Sequence, residues 1–171
     1  AASTAVVSLI KDFSSLAAIR VVCLVLLACG AAAAARAADA PATAPTILVL
    51  GDSLSAGYGI RVEQGWVALL QARLRAKGYG HRVVNASSSG ETTGGALARL
   101  PRALERHRPA VVIIELGGND GLRGLPIAEV RANFESLVKL SRGAGAKVLL
   151  VGMRIPPNYG PAYAGAFHAL Y

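Results

Sequence analysis

Cysteine is nearly missing from this chain. There are two, Cys23 and Cys29, both in an apolar stretch near the N-terminus. From residue 38 onward there is none, which excludes disulfides, thiolate catalysis and cysteine-based zinc sites from that part. Aromatic residues are scarce too, at 5%, so a core has to be built from Val, Leu, Ile and Ala. Acidic residues number 10 against 18 basic ones, a formal charge of +8. Setting aside residues 1–37, which hold Lys11, Arg20, Arg36 and Asp12, leaves +6. The arginines form no compact run and few aromatics lie between them, so they describe a solvated face and not a nucleic-acid footprint. Nucleotide signatures are also missing. Gly51, Gly57 and Gly59 do not make Gly-x-Gly-x-x-Gly, and no Gly-Lys-Ser/Thr follows the first apolar run.

What is present begins with a leader. Lys11 and Arg20 precede the apolar run Val21–Cys29, and Ala35-Arg36-Ala37 supplies small residues before a polar stretch. That order reads as a secretory signal peptide over residues 1–37, which implies export to the periplasm or beyond. Leu26-Leu27-Ala28-Cys29 carries a competing reading, a lipoprotein box acylated at Cys29. A Pro/Ala linker, residues 38–45, separates the leader from one domain, residues 46–171, long enough to bury a core.

The domain alternates short apolar runs with amphipathic stretches. Strands are expected at Thr46–Leu50, Arg82–Asn85, Ala110–Leu116 and Lys147–Met153, and helices at Trp66–Lys77, Ala96–His107, Ile127–Ala144 and from Ala162 onward. The third run is apolar enough to be central and buried on both faces. The β-α-β-α order argues for a parallel sheet with helices on both sides. In such sheets ligands gather at the carboxyl ends of the strands. Three polar loops follow three strands there: Gly51-Asp52-Ser53-Leu54-Ser55, then Asn85-Ala86-Ser87-Ser88-Ser89-Gly90, then Glu115-Leu116-Gly117-Gly118-Asn119-Asp120. Each alone reads as a turn. Together they bring a serine hydroxyl, a glycine N–H and an asparagine amide to one edge, which is what acyl transfer needs to hold a developing oxyanion. Neither acidic loop holds a histidine, which disfavours a dinuclear metal site. Ser55, not glycine, stands two residues after Ser53, which disfavours an α/β-hydrolase elbow.

These loops, with Arg154-Ile155-Pro156-Pro157-Asn158-Tyr159-Gly160, resemble the SGNH, or GDSL-type, hydrolase family from about residue 46 to the end. Within it the chain is most similar to the bacterial periplasmic arylesterase, acyl-CoA thioesterase and lysophospholipase group. The resemblance implies a three-layer α/β/α sandwich with a parallel, flavodoxin-like sheet. It implies Ser53 as nucleophile, with the Ser53 N–H, the Gly90 N–H and the Asn119 amide as oxyanion hole. Asp52 and Asp120 would brace loops, and no metal or cofactor would be needed. The partner would be a small-molecule ester or thioester, lipid included, with no nucleic acid and no stable protein partner. Leu54, Leu122 and Tyr159, with Leu125 and Ile155, are expected at the substrate pocket. The family's catalytic Asp-x-x-His, near the C-terminus, has no counterpart here: none of His81, His107 and His168 has an aspartate three residues before it. The expectation is a domain incomplete at its C-terminus, lacking the last strand and helix, poorly stable and with little turnover. The alternative is a non-catalytic acyl- or glycan-binding remnant.

Overall fold

The alternation along the first strand decides how the layers are filled. A computed structural model describes residues 44–171, a unit of its own; the expected leader, both cysteines and the linker through residue 43 lie outside the described residues. In β1 (Thr46–Gly51), Leu48 and Leu50 point to one side of the sheet and Ile47 and Val49 to the other. All six residues of the strand are buried. Period-two alternation with apolar groups on both faces needs cover on both faces.

The sheet has four parallel strands in the order β2 (Arg82–Asn85), β1, β3 (Val111–Glu115), β4 (Lys147–Leu150). Register is set by Ile47 opposite Val83 and Val111, and by Val112 opposite Val148. β1 and β3 are therefore central, as the apolar run of β3 predicts. On one face lie α3 (Thr93–His107) and α5 (Ile127–Gly143), whose Ala96, Leu100, Leu104, Val130, Phe134 and Leu137 close over Leu48, Leu50, Val112 and Ile114. Phe167 of α6 (Pro161–His168) completes that cluster. Each such side chain contributes about 1.5–3 kcal/mol when fully buried. The other face is covered by α2 (Trp66–Ala76), through Val67, Leu70 and Leu74 against Ile47, Val49 and Ile113.

Several boundaries differ from the sequence expectation, each for a local reason. The stretches read as plain loops after β1 and β3 contain one-turn helices, α1 (Ser53–Ala56) and α4 (Gly118–Leu122). α3 starts at Thr93, ahead of Ala96, because the Thr92 side chain caps it by accepting the Gly95 N–H at 3.2 Å. A cap offsets the cost of two glycines in the first turn. Pro101 sits inside that helix. β4 stops at Leu150, although the apolar run continues to Met153, because its partner ends: the Val151 N–H bonds to Ile114 O at 2.9 Å, and β3 has only Glu115 beyond. Beside α2 the sheet face is open. A cavity of about 490 Å³ is lined there by Trp66, Leu70, Ile113, Glu115, Leu149 and Val151, and Leu149 is 53% exposed.

Candidate active site

The carboxyl edge of the sheet collects the three polar loops. β1 ends in Gly51, and Asp52 caps α1 by accepting the Leu54 N–H on Oδ1 at 2.9 Å. That cap places Ser53 at the first position of the helix. Gly57 closes the turn in the left-handed region, φ 77°, with its N–H on Ser53 O at 3.1 Å; a side chain there would be strained. None of the hydrogen bonds among the described residues uses the Ser53 hydroxyl or its N–H.

Asn119, in α4, arrives from the loop after β3. Its Nδ2 donates to Asp52 Oδ2 at 3.2 Å and to Glu91 O at 2.9 Å, which turns the amide toward the β1 and β2 loops. Ser53, Leu54, Asp52, Asn119, Leu122 and Ile155 line one cavity of about 310 Å³, together with Met153 and Arg154. So the structure brings Ser53 and Asn119 to one place with apolar neighbours, Leu54 at 66% exposure and Leu122 at 51%. Gly90 is not among the lining residues. It has φ 77°, its carbonyl accepts from the Arg123 guanidinium at 3.1 Å, and its N–H makes no bond among the described residues. Tyr159 and Leu125 do not line the cavity either. The Tyr159 hydroxyl donates to Leu122 O at 2.9 Å, and Leu125 packs against the core.

The two aspartates make loop-tying bonds. Asp120, fully buried, accepts from the Thr93 N–H at 3.0 Å and from the Thr93 hydroxyl at 2.5 Å, so α4 is fastened to the start of α3. Burial pushes the Asp52 carboxyl up; the Leu54 N–H offsets part of this and the Asp120 charge adds to it. His107 ends α3, His168 ends α6 and His81 precedes β2; none lines the Ser53 cavity. Burial lowers the His107 pKa, as do Arg106 and Arg82 nearby.

Three supports escape any reading of the loops as motifs. Arg99, which the sequence places on a solvated face, pairs with Glu91 at 2.5 Å and donates to Ala86 O at 2.5 Å, clamping both ends of the Gly90 loop. Asn85 Nδ2 donates to Ser55 O at 2.7 Å. Ser55 and Glu115, both buried, share a short hydrogen bond, and the Trp66 indole N–H donates to Ser55 Oγ at 3.2 Å. A serine, a glutamate and a tryptophan separated by 11 and 60 residues carry no spacing signal.

Relatives match this chain over most of its length. Esterase TesA of Pseudomonas aeruginosa is 57% identical over 130 residues, 76% of this chain, and this chain spans 65% of that protein's length. An arylesterase of Vibrio mimicus is 44% identical over 153 residues, covering 90% of this chain and 73% of the relative. The crystal structure of TesA superposes with a TM-score of 0.72 over 74% of this chain and 70% of that one. Residues 49–170 match the GDSL-like lipase/acylhydrolase family, and the chain belongs to it.

Proposed function

We propose that this domain cleaves carboxylic esters or thioesters through an acyl-serine intermediate at Ser53. The observation that carries the reading is the shared cavity: a serine with free hydroxyl and N–H beside the Asn119 amide, walled by Leu54, Leu122 and Ile155. The hydroxyl would attack the carbonyl carbon. The N–H groups of Ser53 and Gly90 and the Asn119 amide would hold the oxygen as it becomes negative. Asn119 would turn from Asp52 Oδ2 toward that oxygen while keeping Glu91 O. Apolar walls favour the acyl side of aryl or acyl esters, which agrees with the names of the esterase and arylesterase relatives. Among the described residues no histidine lines this cavity, and a serine hydroxyl without a base beside it is a weak nucleophile. The apolar run Val21–Cys29 and Ala35-Arg36-Ala37 support export as the setting.

The test is labelling of the full chain with a fluorophosphonate, followed by peptide mass spectrometry. Modification at Ser53 that disappears in Ser53→Ala supports the reading. A stoichiometric fatty acid bound with no labelling and no release of 4-nitrophenol from an aryl ester would replace it with the acyl-binding alternative.

A further inference from the structure

Glu115 ends β3 directly opposite Gly51 and is 5% exposed. Carboxyl groups this buried are rare unless an ion or a set of donors faces them. No lysine, arginine or histidine pairs with Glu115 among the described residues. Its Oε2 meets the Ser55 hydroxyl, and its Oε1 is buried with no partner. Ser55 is held in turn from three elements: Glu115 at the end of β3, the Trp66 indole of α2, and Asn85 at the end of β2. Asn85 also accepts the Ser87 N–H at 3.1 Å, which links the same unit to the loop that leads to Gly90. Gly51 makes the approach feasible, since a Cβ there would lie 2.9 Å from Glu115 Oε2.

We propose that Glu115 is a positioning residue for Ser53: through the Ser55 hydroxyl it fixes the turn Ser53–Ala56 when neutral and loosens it when ionised. This rests on Ser53 being the nucleophile. Glu115 and Trp66 lie on the apolar wall of the cavity beside α2; a neutral carboxyl leaves one unpaired oxygen there, whereas an ionised one leaves a charge that no cation offsets, a larger cost. Burial pushes Glu115 up to about 7; the Ser55 hydroxyl opposes this, the Asp52 charge adds to it, and the N–H groups of Asp52 and Ser55 oppose it further. The groups facing it from other elements are acidic. They are Asp52 before α1 and the Tyr171 phenol, whose pKa burial and the Asp120, Glu115 and Asp52 carboxylates raise above its ordinary value. Ionisation of Glu115 therefore adds charge to a side of the site that is already negative.

Trp66 is the chain's single tryptophan, and its indole bonds to the same hydroxyl, so its emission reads the state of this unit without any turnover. The experiment follows Trp66 fluorescence of the full chain across neutral pH in the parent, Glu115→Gln and Ser55→Ala. Amide exchange at Leu54–Gly57 and the fluorophosphonate labelling rate of Ser53 are measured alongside. A step in emission near pH 7 that both variants lack supports the proposal. So does exchange at those amides slower in Glu115→Gln than in the parent above the step by roughly fivefold, what one net hydrogen bond is worth, and equal below it. Labelling should show the same ratio, because the intrinsic pH dependence of a serine cancels between the two proteins. A parent without the step, or a step that survives in Glu115→Gln, overturns it. If no protein is labelled at Ser53, the hydrolase reading falls, while emission and exchange still decide whether Glu115 holds the turn.

Discussion

Replacing Gly51 by alanine puts a methyl group where Ser55 and Glu115 already are. The added Cβ would lie 2.5 Å from Ser55 Oγ, 2.6 Å from Ser55 Cβ and 2.9 Å from Glu115 Oε2. Rotating the Ser55 side chain removes the first contact but not the second, because its Cβ is fixed by the backbone of α1. That backbone is tied by Ala56 N to Asp52 O at 2.9 Å and by Gly57 N to Ser53 O at 3.1 Å. Either α1 shifts or β1 does, and the Ser55–Glu115 bond breaks in both cases. Overpacking a filled site costs about 1–3 kcal/mol, and a buried polar group left without its partner costs about 1–3 kcal/mol more. The expected loss is thus about 2–6 kcal/mol. In urea unfolding, where the slope is about 1–3 kcal/mol per molar, the midpoint falls by at least about 0.7 M with the slope unchanged. Gly143→Ala is the control: it closes α5, nothing lies within 4 Å of its added Cβ, and stability holds or rises by a few tenths of a kcal/mol, as alanine does in helices. A Gly51→Ala protein within about 0.5 kcal/mol of the parent, the usual range of a harmless surface change, would refute the account of this junction.

Asp120→Asn trades a carboxylate oxygen for an amide donor opposite the Thr93 N–H and hydroxyl; a loss of about 2–4 kcal/mol is expected, and a chemical melt within about 1 kcal/mol of the parent would contradict it. Glu115 gives a pH dependence of definite sign. Its carboxyl moves from an ordinary 4.5 to about 7 on folding, so the folded state holds the proton more tightly. Its contribution is complete below about pH 4.5 and is lost as pH rises to about 7, by at most about 3 kcal/mol. Subtracting the Glu115→Gln stability curve from that of the parent should show this fall, and a rising or flat difference would be decisive against it. Arg99→Ala removes a partly exposed clamp and should lower global stability by no more than about 1 kcal/mol. Hydrogen exchange should nonetheless quicken at Ala86–Glu91, and unchanged protection there would show the clamp to be idle.

The layers were legible because burial leaves a period. Leu48, Leu50, Val112 and Ile114 alternate with Ile47, Val49 and Ile113, and the helices repeat their apolar residues every third or fourth position. The loops that carry Ser53 and Asn119 were legible as places, since each follows an apolar run. Their inner form was not. Helices of four and five residues are too short to show periodicity and are set by a cap and a tertiary bond. β4 was read too long because an apolar run says nothing about where its partner strand ends. The Thr92 cap was visible in principle, but two glycines beside it look like a break. The support from Glu115, Trp66 and Asn85 was least accessible, being made of contacts between residues far apart in the chain whose types are ordinary in a core or a turn.

That distance bears on how the protein is made. Ser55 and Glu115 stand 60 residues apart and Asp52 and Asn119 stand 67 apart, so the segment that carries Ser53 leaves the ribosome long before what fixes it. Until β3 is synthesised, β1 has β2 on one edge and nothing on the other, and Leu48 and Leu50 lack the cover that α5 gives. Closing so long a loop costs entropy that only the finished sheet returns. The nascent chain therefore carries its serine in an unset turn, and the geometry at Ser53 is acquired in the same step that completes the central pair of strands.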